Sequence, residues 1–439
     1  MSALARWFLA KEWVVSGSDL ETSEITKALA KDGVTVKYGH KKSNLPPDLA
    51  CVVMSNAVKK DNPEYVEAVR RGLRPMTYPQ TVGCLSEVYD VIGVSGSHGK
   101  STTTSMVALI MKDLNFDPNV IVGTNLKEFK GRNFRLGKSR WLVLEADEYK
   151  RAFTHYDTKI AVVTNIDREH LDYYKDLRDV QRAFMEYLSR VREGGAMVLN
   201  KDDRNLFVLK KRIEAFAKKK EIKVFWYSLL NQKEARLLAR SLKLSGKHNL
   251  SNALAAYTVG VKVLGLSQKQ VLASLARFKG SWRRMDYRGR MRVKEKVEVY
   301  DDYGHHPTEI KATIQAFREK YPKAKLVCVY EPHQAKRLKM LYQEFIDAFV
   351  GVDLLVMLPI YGVAGRDTVP ARYTSENLTK LISEKYPRSK VQYLGDKNNF
   401  LKSLEGVLRE ELGSPLPFSV VVMMGAGDIF KLTPEILKK

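Results

Sequence analysis

Short apolar runs alternate along the chain with segments whose apolar residues recur every three or four positions. That is the layered pattern of an α/β protein. In the first stretch Trp13–Val15, Val34–Tyr38 and Cys51–Met54 read as strands. Each runs out into small or polar residues: Ser16-Gly17-Ser18-Asp19, Gly39-His40 and Ser55-Asn56. Glu24–Lys31, between the first two, and Pro63–Arg71, after the third, carry helical spacing. A second block opens near Tyr89 with a strand at Val91–Val94, a Gly/Ser loop, and a long helix from about Lys100 to Asp113. Trp141–Leu144 and Ile160–Thr164 read as buried strands, residues 180–240 as charged helix, and Lys247–Gly265 and Gln268–Phe278 as helices. A third block begins past Arg284, with strands at Val297–Tyr300, Leu326–Tyr330, Leu354–Leu358 and Val420–Met424. The pattern predicts domains at 1–88, 89–285 and 286–439, in keeping with ~150 residues per domain.

Composition narrows the class. Apolar residues make 44% and charged residues 28% of the chain, which excludes a disordered, collagenous or disulfide-stapled protein. No apolar run approaches the ~18 residues of a membrane span. Three cysteines, Cys51, Cys84 and Cys328, are far apart and lie in or beside apolar stretches, so they read as reduced core thiols. The opening MSALARWFLAKEW has neither a charged n-region nor a small-residue cleavage site, and the expectation is a cytoplasmic protein.

Charge is the anomaly: 74 basic against 50 acidic residues give +24. The basic residues are nevertheless interleaved with Glu and Asp. The densest cluster, Lys210-Lys211-Arg212 and Lys218-Lys219-Lys220, alternates with Ile213, Phe216 and Ala217, as on the wet face of an amphipathic helix. Nucleic acid is therefore not the expected partner, and an anionic substrate suits the charge equally well.

The strongest chemical signal is Gly93-Val94-Ser95-Gly96-Ser97-His98-Gly99-Lys100-Ser101-Thr102, placed between a strand and a helix. Glycines let backbone N–H groups close on phosphate oxygens, the helix N-terminus favours anions, and Lys100 adds a point charge. A Ser101 or Thr102 hydroxyl can reach Mg²⁺. The spacing departs from the common motif, since Val94 stands where its first glycine belongs. Downstream, Leu144-Glu145-Ala146-Asp147-Glu148 and Thr164-Asn165-Ile166-Asp167-Arg168-Glu169-His170 each follow a buried strand. Such carboxylates and a histidine suit a hard cation. Each alone reads equally as an ordinary loop.

GSHGKSTTT, LEADE, TNIDREHLDYY, GKHNLSNALAA, GSWRRMD, YDDYGHHPTEI, EPHQAKR and MMGAGDI occur in this order. Together they resemble the Mur ligases, the ATP-dependent amino-acid ligases of peptidoglycan synthesis, across essentially the whole chain. Within that family they are most similar to the branch that joins L-alanine to UDP-N-acetylmuramate. The resemblance implies three domains: a Rossmann-like N-terminal domain for the UDP-sugar, a central P-loop ATPase-like domain, and a Rossmann-like C-terminal domain for the amino acid. Their closure would accompany turnover.

The resemblance also implies roles. Gly96, Ser97, His98, Gly99, Lys100, Ser101 and Thr102 would hold ATP phosphates. Ser101, Glu145 and His170 would hold Mg²⁺. His248, Asn249 and Asn252 match nucleotide-facing positions, and the two asparagines, three apart, share a helix face; an Asn N-cap is the plainer reading. Arg284 matches the arginine that meets the γ-phosphate, and Asp302 the acid on the ATP ribose. Lys100, His170 and Arg284 are the implied catalytic residues. Ser18, Asp19, Ser55 and Asn56 match loops around the UDP part, and His305, His306 and His333 line the substrate pocket or serve structure alone. His170, His305 and His333 are all candidate general bases, and no carbamylated-lysine position is matched.

In this branch the first domain opens with a glycine-rich strand and loop. Met1-Ser2-Ala3-Leu4-Ala5 resembles the end of that block, so the expectation is a domain without its first strand, the start codon having been assigned too late. The nearest alternatives are a murein-tripeptide recycling ligase, which shares most blocks, and a non-catalytic ATP- or anion-binding relative. The D-Glu-adding enzyme and folylpolyglutamate synthase fit less well, the latter lacking the HHPTE-type block. A monomer and a homodimer are both compatible with the sequence.

Overall fold

A computed structural model of the chain describes residues 1–129, 131–230, 233–291, 297–362, 372–413 and 417–437. It divides into two units: residues 1–168, 177–241 and 252–278 form one, and 169–176, 242–251 and 279–439 the other.

The first unit holds a seven-stranded sheet. Its order is Lys223–Tyr227, Val191–Asn200, Thr158–Val163, Asp90–Ser95, Trp141–Glu145, Asn119–Leu126, Arg132–Arg135. All pairs are parallel except the last. Strands buried on both faces read as continuous apolar runs, and Val91, Ile92, Leu142 to Leu144 and Ile160 to Val163 are all essentially inaccessible. The helix Lys100–Asp113 buries every residue from Thr102 to Met111. The chain leaves Asp90–Ser95 toward Asn119–Leu126 on one side, whereas it leaves the adjacent strand Thr158–Val163 toward Val191–Asn200 on the other. Crevices at such points, outside the carboxyl ends of strands, are where open α/β sheets bind ligands.

The first 77 residues add two separate two-stranded parallel sheets, Ser16–Asp19 with Thr35–Tyr38 and Val53–Met54 with Met76–Thr77. The expected strand at Trp13–Val15 is displaced: Trp13 and Val14 are exposed, and the polar Ser16–Asp19 pairs instead. Residues 180–240 also depart from expectation. Between the helices Leu177–Ser189 and Lys210–Lys219 lies the strand Val191–Asn200, and Lys223–Tyr227 follows. The Gly194-Gly195 pair sits at a register shift in the first of these, which breaks its apolar pattern.

The second unit carries a six-stranded sheet ordered Asp286–Arg290, Val297–Asp302, Ser419–Met424, Lys325–Tyr330, Leu354–Met357, Lys390–Tyr393, antiparallel only at the first pair. Alternation assigns its two faces. Val327, Val329, Val421 and Met423 join the core beneath Phe400, Leu404 and Leu408. Leu326, Cys328, Tyr330, Val420 and Val422 join that of Ile310, Phe317 and Phe345. Of the three cysteines expected in cores, Cys328 is buried, Cys51 half-buried and Cys84 exposed on the helix Tyr78–Val88. Among the described residues no helix is long and apolar enough to cross a membrane.

Candidate active site

The loop Gly96–Gly99 turns from the strand Asp90–Ser95 into the helix Lys100–Asp113. Gly96 has φ 138° and Gly99 φ 81°, conformations costly for residues with a Cβ. A Cβ at Gly96 would stand 2.0 Å from Thr164 Oγ1, and one at Gly99 2.3 Å from Asn252 Oδ1. Gly96 thus supplies the close approach that the common motif takes from an earlier glycine, and Val94 stays in the core. The end of the neighbouring strand grips the loop. Thr164 Oγ1 and Asn165 Nδ2 donate to the His98 carbonyl at 2.6 and 2.9 Å, and His98 N donates to Asn165 Oδ1 at 2.8 Å. Asp167 Oδ2 lies 3.1 Å from His98 Nε2. No side chain caps the helix at Gly99. Its N-terminal dipole and first N–H groups face the loop, an arrangement that fits phosphate.

Lys100 bends back over this loop. Its Nζ donates to the Gly96 carbonyl at 2.8 Å and to Glu148 Oε1 at 3.0 Å. Burial opposes its charge, but Glu148, Asp147 and Glu145 outweigh burial and hold the ammonium pKa above its ordinary value. Ser101 Oγ donates to Glu145 Oε1 at 2.9 Å, and Gly123 N donates to Glu145 Oε2 at 2.6 Å. Burial pushes the Glu145 carboxyl up, against the pull of Lys100 and these two donors. A hydroxyl and a carboxylate oxygen side by side at a helix start, with no soft donor between them, fit Mg²⁺.

The structure therefore brings Gly96, Ser97, His98, Gly99, Lys100, Ser101, Thr102, Glu145 and Asn252 together in the first unit. His170, the third expected metal contact, belongs to the second unit. There a buried carboxylate, Glu169, gathers basic side chains. Arg337 Nη2 lies 3.4 Å and His305 Nε2 3.7 Å from it, and His170 N donates to it at 3.1 Å. Burial alone would raise its pKa, yet Arg337, His305, His306 and His170 hold it well below the carboxylate range. His305 Nδ1 is 3.1 Å from Glu309 Oε2, and Arg284 Nη1 is 3.1 Å from Glu309 Oε1. His333 stacks on Tyr361. Burial first, then Arg337, His305 and Arg283, push its pKa down to about 4, so it is neutral near pH 7.

Three of the remaining expected residues of this unit, His306, Asn249 and Asp302, have internal hydrogen-bond partners. His306 accepts from Thr308 N as the cap of the helix Pro307–Lys320. Asn249 Nδ2 donates to the Ser245 carbonyl. His248 is pushed down to about 4 by burial and Arg284. Asp302 accepts from Met285 N, Gly304 N and Thr313 Oγ1, which occupy its carboxylate. Beside it Arg283 is buried, donates to the Gly425 and Gly427 carbonyls, and lies 4.5 Å from the Phe430 ring centroid.

In the N-terminal stretch Ser18 Oγ donates to Glu64 Oε2 at 2.8 Å and lies 3.0 Å from His40 Nδ1. The Asp19 carboxylate accepts from Leu20 N at 2.7 Å, and its carbonyl accepts from Gly39 N at 2.8 Å. Ser55 Oγ accepts from Ala57 N, and the Asn56 carbonyl accepts from Lys150 Nζ at 3.5 Å. Ser18 lies in the strand Ser16–Asp19 of one two-stranded sheet, and Ser55 follows the strand Val53–Met54 of the other.

Three segments match descriptions of one family: residues 1–89 the Mur ligase family catalytic domain, 94–260 the Mur ligase middle domain, and 283–427 the Mur ligase glutamate ligase domain. UDP-N-acetylmuramate–L-alanine ligases of Desulforapulum autotrophicum and Aquifex aeolicus are each 36% identical over 100% of this chain, which covers 96% and 95% of those proteins. The chain belongs to the Mur ligase family. Its α/β, three-domain architecture with parallel sheets follows. The Mur ligase fold is seen again in the solved UDP-N-acetylmuramate-alanine ligase MurC of Thermotoga maritima, with TM-score 0.76 at 24% identity over 99% of this chain and 95% of that one. A murein peptide ligase of Psychrobacter arcticus gives 0.66 at 22% identity over the same shares.

Mur ligase membership implies use of ATP, in line with the loop geometry. Several residues that build the site do not stand out in the sequence. Glu148 and Glu169 lie inside quoted motifs beside more conspicuous neighbours, and only the fold shows that they pair Lys100 and Arg337. Gly123, Thr164 and Asn165 act by close approach, for which a single sequence carries no signal.

Proposed function

We propose that this Mur ligase joins L-alanine to the lactyl carboxylate of UDP-N-acetylmuramate, converting ATP to ADP and phosphate, in peptidoglycan precursor synthesis. One observation carries the reading: identity near 36% runs along the full chain to enzymes of that name, with no segment left over. A carboxylate is a poor acyl donor because its oxygen leaves badly. In the proposed reaction a carboxylate oxygen attacks the γ-phosphorus, ADP departs, and an acyl phosphate remains. The alanine nitrogen then attacks the acyl carbon, phosphate leaves, and the nitrogen loses a proton.

The chain's residues meet these needs. Lys100 and the open helix start neutralise phosphate charge and hold it in line, which is most of what phosphoryl transfer requires. Ser101 and Glu145, with His170 a further expected ligand, would hold Mg²⁺, which supplies positive charge against the phosphates. Arg284 is proposed to meet the transferred group. His170, His305 and His333 are the candidate acceptors of the amine proton, and the low pKa of His333 makes it the weaker base at pH 7. The enzyme acts in the cytoplasm in this reading.

Phosphate release by the purified protein tests the proposal. Release that requires both UDP-N-acetylmuramate and L-alanine is the expected result. Release with a murein tripeptide in place of L-alanine assigns the recycling reaction instead, and release with neither acceptor contradicts both.

A further inference from the structure

Beyond the strand Trp141–Glu145 the chain makes an uncommon turn. Lys150 (φ 51°, ψ 31°) and Arg151 (φ 58°, ψ 27°) are successive non-glycine residues in the left-handed region. Such strain persists only where surroundings fix it, and it clusters at functional sites. Here Arg151 is the anchor. Its guanidinium pairs with Asp179 at 2.8 Å and Glu186 at 2.5 Å. Arg151 N donates to the Glu148 carbonyl and Phe153 N to the Asp147 carbonyl, both at 2.9 Å. Lys150 has no such anchor. It is exposed, its Nζ lies 5.5 Å from the Tyr149 ring centroid, and its oxygen contact is the Asn56 carbonyl at 3.5 Å. Among the described residues no carboxylate pairs with it. Two residues earlier, Glu148 holds Lys100 of the phosphate loop.

The turn therefore spends backbone strain to place an uncompensated ammonium beside the Ser55–Asn56 loop, next to the ATP-binding loop. We infer that Lys150 binds the diphosphate of the nucleotide-sugar substrate. The inference rests on the proposed reaction and adds to it a residue outside the family motifs quoted above. Lys59 and Lys60, exposed in the same loop as Asn56, extend a cationic rim suited to that anion. A mobile point charge rather than a bidentate fork suits a diphosphate, whose oxygens are spread over two phosphorus centres.

Steady-state kinetics on the full-length enzyme test this, together with calorimetric binding of UDP in the absence of ATP. Lys150→Met is expected to raise KM for UDP-N-acetylmuramate and Kd for UDP by about tenfold or more, the usual worth of one charge-assisted contact. KM for ATP should move less than twofold. Lys150→Arg should retain most of the affinity. Lys150→Gly relaxes the backbone yet removes the charge, and should lose affinity as Met does. Unchanged UDP affinity in Lys150→Met overturns the inference. So does a rise confined to KM for ATP, which assigns the lysine to that nucleotide. Loss in Lys150→Gly without loss in Lys150→Met assigns the effect to the turn and also overturns it. A wild-type enzyme that does not turn over UDP-N-acetylmuramate refutes the proposed reaction, while UDP binding still decides the role of Lys150.

Discussion

Gly123→Ala perturbs Glu145 without replacing it. Gly123 lies in the strand Asn119–Leu126 without a left-handed φ, so alanine is compatible with its backbone. A Cβ there would stand 2.9 Å from both carboxylate oxygens of Glu145, half an ångström inside ordinary contact at 3.4 Å. The carboxylate is the group that gives way, because it is the far end of a flexible side chain. It would also strain the 2.6 Å bond from Gly123 N and the 2.9 Å bond from Ser101. A displacement of 1 Å at a catalytic group can cost about a hundredfold, so half of that predicts about a tenfold loss of kcat. If Ser101 and Glu145 hold Mg²⁺, the concentration giving half-maximal rate should rise by a similar factor. Gly123 is exposed, so the melting temperature should change little. Titration of phosphate release against Mg²⁺ reads both quantities. An unchanged kcat with an unchanged Mg²⁺ requirement refutes the placement of the cation on Glu145.

Other outcomes follow from the same geometry. Lys100→Ala should lower turnover by at least about a thousandfold. Because Glu148 is buried and loses its ammonium partner, the double variant Lys100→Ala, Glu148→Gln should recover stability in urea unfolding without recovering turnover. Glu169→Gln removes the charge that Arg337 and His305 share, and should cost about 3 kcal/mol in the same assay. Asp301 is pushed up to about 6, by burial first and against Thr433 and Arg288. Its folded pKa is raised, so the fold favours the neutral acid, and stability falls as pH rises from about 4 to about 6. Asp301→Asn should therefore be more stable than wild type at pH 7, by up to ~2 kcal/mol, with the gap closing near pH 4. A gap independent of pH contradicts the assignment.

What could be read beforehand follows from which interactions leave a local trace. The strand Asp90–Ser95, its loop and the helix Lys100–Asp113 were legible because apolar run, glycines and helical spacing are contiguous. The strands of the second unit were legible because alternating residues feed two cores. Ser16–Asp19 was not, since a polar tetrapeptide becomes a strand only through its partner Thr35–Tyr38. Val191–Asn200 was hidden by its glycine pair and by charged helices on both sides. At the site, Lys100, Ser101 and Glu145 carry their chemistry in their own side chains. The grip of Thr164 and Asn165 on the phosphate loop arises between strands about 66 residues apart, and only the assembled sheet reveals it.

The central claim is that the substrate acid is activated by taking the terminal phosphate of ATP. UDP-N-acetylmuramate labelled with ¹⁸O in its lactyl carboxylate tests this directly by mass spectrometry of the released phosphate. One labelled oxygen per phosphate is the predicted result, since the attacking oxygen leaves with the phosphorus. Phosphate free of label would contradict the account.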